Sequence, residues 1–241
     1  MSGRTRSLVA AGVATLVAFA ILVGLGVWQL KRLAWKDSLI AAVEARSTGQ
    51  PVDAPSPDAW ADLKAADYEY RHVRVAGTYD LGHQVLVFRS LSSPRGRCGG
   101  PGYLVMTPLT LASGQSVLVN RGFVPDAMKA EASRGPTGPT VVTGLMRSSE
   151  DRTLFTPADD PVRGQWFTRD IEGVAAALKL GPHAPFSIDA DANADGLPEG
   201  GETVLSFPNN HLSYAMTWFG MALALAGVFI VYAVGQFRRR S

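Results

Sequence analysis

Two uncharged apolar runs, one from Leu8 to Leu30 and one from Leu212 to Phe237, bracket a long polar stretch. At about 1.5 Å of rise per helical residue, each is long enough to cross a hydrocarbon core of roughly 30 Å. The pattern therefore predicts transmembrane helices at 8–30 and 212–237, with one soluble domain at 31–211. The first run lacks a short apolar core ending in an A-x-A-like site and continues into Trp28-Gln29-Leu30-Lys31-Arg32. That favours an anchor over a cleaved signal peptide.

Between the spans the period shortens. Leu33 to Arg46 carries Leu39, Ile40 and Val43 among charges and reads as a helix continuing out of the membrane. Pro51, Pro55 and Pro57 end it. Strand-length segments rich in Val, Leu, Tyr and Thr follow at Tyr70–Tyr79, Gln84–Arg89, Tyr103–Leu109, Ser116–Arg121 and Thr140–Met146. Turn clusters separate them at Asp80–Gly82, Pro94–Gly102, Ala112–Gly114 and Gly135–Pro139. Asp170 is placed to cap a helix through Ile171, Val174, Ala175 and Leu178, closed by Gly181-Pro182. Two short strands, Phe186–Asp189 and Thr203–Phe207, lead back to the membrane. The expected fold is membrane α+β: two transmembrane helices around a β-rich domain, mostly an antiparallel sheet or small barrel, with one or two helices. Val-Ala-Gly-Thr at 75–78 and Val-Thr-Gly-Leu at 142–145 share a strand glycine, expected to form bulges.

Charge at the ends of the spans sets orientation. Arg238, Arg239 and Arg240 follow the second span, and no Lys or Arg lies between Lys179 and His211. The positive-inside bias then places 238–241 in the cytoplasm, and two spans place 1–7 there too. Arg4 and Arg6 are opposed by Lys31, Arg32 and Lys36, but long loops translocate largely regardless of charge. The domain at 31–211 is thus expected in the periplasm, outside a bacterial inner membrane.

Composition narrows the function. All 21 acids lie between Leu33 and Asn210, against 16 of the 23 Lys and Arg, so that stretch carries −5 and the flanks +7. The positive charge sits where membrane topology needs it, which argues against nucleic acid. Cys98 is the one cysteine among 241 residues. It excludes an intramolecular disulfide, a Cys-x-x-Cys redox pair, a covalent haem motif and a two-cysteine copper site.

Asp191-x-Asn193-x-Asp195-Gly196 with Glu202 fits a calcium-loop pattern, but Pro198 and strand-like flanks fit a hairpin loop better than an EF-hand. His72, His83 and His183 are scattered and are expected to be solvated or locally hydrogen-bonded. No Ser-His-Asp, zinc or phosphate-loop spacing occurs, and Gly99, Gly100 and Gly102 precede a strand instead of a helix.

His211 differs by position. It follows Pro208-Asn209-Asn210, either Asn of which could cap the helix, and starts the second span at the outer interface. At about 100° per residue, Tyr214, Ala215, Trp218 and Ala222 share its face. An interfacial aromatic belt explains this stripe, and so does an axial metal or haem ligand. Trp28, Gln29, Lys31, Arg32, Trp35 and Lys36 end the first span at the same level, as snorkelling anchors or as cations near a bound group. A haem would place its macrocycle between the two helix ends, iron on neutral imidazole, propionates on Arg32 or Lys31, and any lipid-like tail in the bilayer.

Four ordered blocks carry a resemblance. They are Gly26-x-Trp28-Gln29-x-x-Arg32-x-x-Trp35-Lys36; Gly100-Pro101-Gly102-Tyr103 through Thr107-Pro108-Leu109; Val117-Leu118-Val119-Asn120-Arg121-Gly122-Phe123-Val124-Pro125; and Pro208-Asn209-Asn210-His211-Leu212-x-Tyr214-Ala215-x-Thr217-Trp218-Phe219-Gly220. With the two-span layout, they resemble the surfeit locus family of cytochrome c oxidase biogenesis factors, in a bacterial member. Phe123 stands where Trp is expected and Phe167 where Tyr is expected, and Arg95–Gly99 has no counterpart in the pattern.

The resemblance implies an assembly factor, not an enzyme, that binds haem a and assists its insertion into subunit I of a haem–copper oxidase. Subunit I, the lipid bilayer and haem a synthase are the partners it suggests. It maps the haem-ligating histidine onto His211, the metal ligand; Trp28, Gln29, Lys31, Arg32, Tyr214 and Trp218 are expected around the cofactor by their membrane level and helix face. The alternatives are a structural chaperone that holds subunit I without haem, a membrane-tethered hydrolase, and a copper chaperone, for which paired cysteines are missing.

Overall fold

Both apolar runs are helical in the computed structural model, which describes residues 3–194, 196–203, 207 and 209–238, with side chains from Arg6 onward. Helix α1 spans Gly3–Thr48 and helix α4 spans His211–Arg238. Both are long and apolar enough to cross a membrane. The 46 residues of α1 extend about 70 Å at 1.5 Å per residue, more than twice a hydrocarbon core. The helix expected at Leu33–Arg46 is therefore the continuation of α1. Arg239 and Arg240, on which the orientation partly rests, lie outside the described residues.

The chain divides into two compact units, Met1–Ala42 with Ser206–Ser241, and Val43–Leu205. In the helical unit small residues mark where α1 and α4 pack. A Cβ on Gly26 would come within 2.6 Å of the Phe219 ring, and one on Gly12 within 3.4 Å of Phe229. Ala215 and Ala222 are buried on α4. Lipid tails are as apolar as leucine, so close van der Waals fit between small and large side chains supplies the helix contact.

The second unit contains β1 (Val52–Asp53), α2 (Ala65–Tyr68), β2 (His72–Tyr79), β3 (Val85–Leu91), β4 (Gly100–Thr110), β5 (Ser116–Pro125), β6 (Pro139–Arg147), α3 (Ile171–Ala177) and β7 (His183–Ala190). The strand order is β1-β2-β6-β7-β5-β4-β3, and β2 also pairs with β4 through Thr78↔Thr110 and Tyr79↔Leu109. Five strands, β2-β6-β7-β5-β4, thereby close into a barrel. β4 can serve two partners on one edge because β3 takes Gly100–Met106 and β2 only its last residues. The barrel is mixed: β5 and β7 run parallel, joined by the long crossover that carries β6 and α3.

β5 is buried from Ser116 to Val124, as a strand covered on both faces should be. Val117 and Val119 enter a cluster with Trp60, Tyr68, Val73, Phe186 and Ile188. Leu118 and Phe123 enter another with Val87, Met106, Trp166, Ile171 and Val174. Asp170 caps α3 as expected, its Oδ1 accepting the Gly173 N–H at 3.1 Å.

Some expectations are corrected. Gly77 and Gly144 are not bulges: they pair in register with Thr140 and with Val73, while the register shifts fall between Leu104 and Met106 and between Ser116 and Leu118. These glycines answer to close backbone approach instead. A Cβ on Gly77 would meet the Thr110 carbonyl at 2.6 Å, and one on Gly144 would run into the carbonyl of Asp189. Gly100–Gly102, expected in a turn, opens β4 because Leu91, Ser90 and Arg89 pair with it. Of the strand expected at Thr203–Phe207, Thr203 and Phe207 are not in a strand and the intervening residues lie outside the described ones.

Candidate functional site

In the helical unit the polar side chains of α1 and α4 meet at the start of α4. His211 is its first residue, and Nδ1 of its half-buried ring lies 2.7 Å from Gln29 Oε1. Gln29 is buried near the end of the apolar run of α1. With an amide oxygen as partner, Nδ1 is the donor, and in the neutral ring Nε2 then keeps its lone pair. Nε2 has no hydrogen bond among the described residues, so it is a nitrogen donor held in orientation from behind. A hydrogen bond of this kind, from the other ring nitrogen, also raises the basicity of a metal-ligating histidine.

A second rung lies beside it: Asn209 Nδ2 donates to Asp37 Oδ1 at 2.8 Å. Asn209 therefore bridges to α1, whereas the Asn210 carbonyl accepts from the Tyr214 N–H at 3.2 Å. The Arg32 guanidinium lies 4.0 Å over the Trp35 ring. No acid is within ion-pairing distance of it among the described residues. Of the other anticipated residues, Trp28, Lys31 and Tyr214 are exposed. Trp218 is half-buried with its indole N–H buried and lacking a partner among the described residues. Gln29 and His211 are thus brought together, Trp218 lies on the partly buried face of α4, and Tyr214 turns outward from it.

The remaining sequence candidates have other employment. His72 donates from Nδ1 to the Gly49 carbonyl and from Nε2 to Asp191, each at 2.8 Å, a double donation that only the charged ring can make. Burial works against that charge, but the two acceptors outweigh it and raise the His72 pKa. His83 pairs with Asp80, and His183 with the Gly181 carbonyl and Glu172. The calcium-like pattern is dispersed: Asp191 faces His72, Asn193 Oδ1 accepts from Gly200 N–H at 2.7 Å, and Asp195 lies outside the described residues. Glu202 accepts the backbone N–H groups of Arg95 and Gly96, and Glu199 those of Arg97 and Cys98. Two carboxylates distant in sequence therefore pin the glycine-rich turn. The Cys98 thiol packs at the edge of an apolar cluster, and burial followed by the Glu199 charge pushes its pKa up.

One assembly was not anticipated. Inside the barrel unit the Asp189 carboxylate, 4% exposed, accepts from Arg169 and Asn120 at 3.0 Å, Arg147 at 3.1 Å and Thr203 at 2.7 Å. Arg147 also donates to Glu69, while Arg89 and Arg169 face Glu150. All of these except Glu69 line a cavity of about 220 Å³. Burial alone would push Asp189 up, yet the two arginines and the hydrogen bonds hold it below the usual carboxylate range; Glu150 is lowered similarly by Arg169 and Arg89. No short spacing links Asn120, Arg147, Arg169 and Asp189, so only strand pairing reveals them as one group.

Comparison with known proteins supplies the context. The SURF1 family model matches residues 16–223. Surfeit locus protein 1 of Mus musculus is 33% identical over 216 residues, covering 83% of this chain and 68% of that protein. The Homo sapiens protein of the same name is 34% identical over 217 residues, covering 83% and 70%. A SURF1-like protein of Monosiga brevicollis is 35% identical over 216 residues, covering 84% and 80%. The blocks around Gln29 and His211 fall inside the matched range, and the chain belongs to the SURF1 family, known as cytochrome c oxidase assembly factors.

Proposed function

We propose that this chain binds haem a through His211 and assists its delivery to subunit I of a haem–copper oxidase, acting as an assembly factor and not as a catalyst. The observation that carries this is the Gln29–His211 pair: Nδ1 is occupied at 2.7 Å and Nε2 is left as a donor at the start of an apolar helix. Neutral imidazole is a common ligand to haem iron, and an acceptor that holds its other ring nitrogen suits that role. Arg32, stacked on Trp35 and lacking an acid partner among the described residues, would hold a propionate, with Lys31 as a second cation. Trp28, Tyr214 and Trp218 would offer ring surface nearby. Haem a, when bound, supplies the iron porphyrin at which an oxidase reduces oxygen. The residues of this chain bind and orient it and keep the Nδ1 proton on the side of Gln29.

In this reading residues 1–7 and 238–241 are cytoplasmic, 8–30 and 212–237 span a bacterial inner membrane, and 31–211 face the periplasm, where subunit I and haem a synthase are the partners. The charge at the C-terminal end of α4 supports that orientation. A periplasm-only reporter fused at Ser241 should be silent.

The deciding measurement is the absorption spectrum of the full-length protein purified in detergent from cells that make haem a. Wild type should carry pigment and His211→Ala should lose it while remaining inserted and folded. A full spectrum in His211→Ala would refute ligation by that residue. Colourless wild-type protein would favour a chaperone that holds subunit I without haem.

A further inference from the structure

Arg121 on β5 is 8% exposed, and its charge is not answered by any acid within ion-pairing distance among the described residues. Its Nη1 donates to the Ala132 carbonyl at 3.0 Å and its Nη2 to the Arg134 carbonyl. Gly135 leaves room for the guanidinium, since a Cβ there would collide with Nη2. The Tyr79 ring lies 5.3 Å from Arg121 Cζ. That phenol cannot serve as the counter-ion: burial pushes its pKa up to about 12 despite the neighbouring cation, so it stays neutral.

The other deeply buried arginines behave differently. Arg147 faces Glu69 and Asp189, and Arg169 faces Asp189 and Glu150. A buried charge without a counter-ion weakens the fold, as breaking an internal ion pair does. Arg121 has further donors beyond the two used on carbonyls, and it lines an open pocket of about 400 Å³ with Tyr79, Arg134, Thr140, Val141 and Asp191. Asp191, the acid of that wall, is already hydrogen-bonded to His72.

We infer that this pocket is a binding site for a small oxyanion, a carboxylate or a phosphate group, with Arg121 as its buried charge anchor. The site lies wholly within the barrel unit and does not depend on haem binding at His211. A guanidinium presents paired N–H donors that suit two oxygens of one anion, and a carbonyl clamp holds it in place before the anion arrives. Arg134, at the pocket wall, is a second, exposed cation whose Nε already pairs with Glu131 Oε2 at 2.6 Å, so the buried Arg121 carries the charge of the site.

The test uses the full-length protein in nonionic detergent, titrated with inorganic phosphate or acetate against chloride at matched ionic strength. The thermal midpoint and the 15N shift of Arg121 Nε are followed. Wild type should respond saturably to phosphate or acetate. Arg121→Gln should weaken that response by roughly tenfold or more, the usual worth of a hydrogen bond to a charged group. Because Arg121→Gln also removes the clamp on Ala132 and Arg134, Val141→Glu provides a second variant. It changes a 65%-exposed strand residue and brings an acid to the pocket wall, so the fold should persist while anion binding falls. Nanodiscs of phosphatidylcholine with and without phosphatidic acid distinguish the source: a Val141→Glu-sensitive shift with phosphatidic acid identifies a lipid headgroup, and one with inorganic phosphate alone identifies a soluble anion. No saturable response to any of the three anions, or an equal response in wild type and Val141→Glu, would overturn the site and leave Arg121 as a structural clamp only.

Discussion

The helical unit and the barrel unit use buried polarity in opposite ways. Among the described residues the polar contacts between α1 and α4 are few, and His211 keeps Nε2 unbonded behind a single hydrogen bond donated by Nδ1 to Gln29 Oε1. In the barrel, Asp189 alone takes hydrogen bonds from four side chains, and each of its arginines reaches a second acid. Under the proposed reading of His211, the difference separates function from stability. A satisfied buried network holds the fold, and removing one member leaves others uncompensated. A lone donor atom contributes little to the fold and is therefore available to a ligand.

The largest test of this contrast is Asp189→Asn. It leaves Arg147 and Arg169 facing each other without their shared carboxylate, and the expected loss of barrel stability is about 3–5 kcal/mol. Urea unfolding followed by far-UV circular dichroism measures it. A loss below about 1 kcal/mol would mean that the network is ornamental to stability.

Gln29→Leu probes the other side. Removing the acceptor for His211 Nδ1–H frees the tautomer and the ring orientation, and the proposed haem affinity should drop roughly 10–100-fold, as it does when a partner behind a metal-binding histidine is lost. The unfolding midpoint should scarcely move. Parallel losses of affinity and stability would erase the distinction between the two units.

The pH profile is a smaller effect with a definite sign. Asp189 and Glu150 are held below their ordinary values in the fold. Their stabilisation is present above the unfolded carboxylate range, about pH 4, and is lost as pH falls through the lower folded values. His72 is raised, so its contribution is complete below about pH 6.5 and disappears as pH rises through the folded value. Urea midpoints against pH should fall on the acid side, with that fall flattened in Asp189→Asn. His72→Gln should flatten the alkaline side only.

The smallest expected effect is that of Cys98→Ser. The thiol lies at the rim of the cluster that holds Val87 and Val174; the Cys98 backbone N–H, which serine keeps, donates to Glu199 at 2.8 Å, and the side-chain hydrogen bond to Glu199 is one that a hydroxyl can also make. Stability should change by less than about 1 kcal/mol, and oxidase assembly should be normal. Failure of assembly would point to thiol chemistry in a region otherwise given over to structure.

What could be read along the chain was whatever depends on neighbours in sequence. Both spans follow from apolar length, the strands from short β-branched runs, and the α3 cap from Asp170 three residues before Gly173. His211 was conspicuous because a histidine at the start of an apolar helix stands out against its surroundings. The expected bulges at Gly77 and Gly144 failed because period and composition report a glycine without saying which strand passes over it. Closure of the barrel, the pairing of Gln29 with His211, and the convergence of Asn120, Arg147, Arg169 and Asp189 required the tertiary structure. Each joins residues tens to nearly two hundred positions apart, where hydrogen bonds and charges act over a few ångströms of space and leave no periodic mark on the sequence.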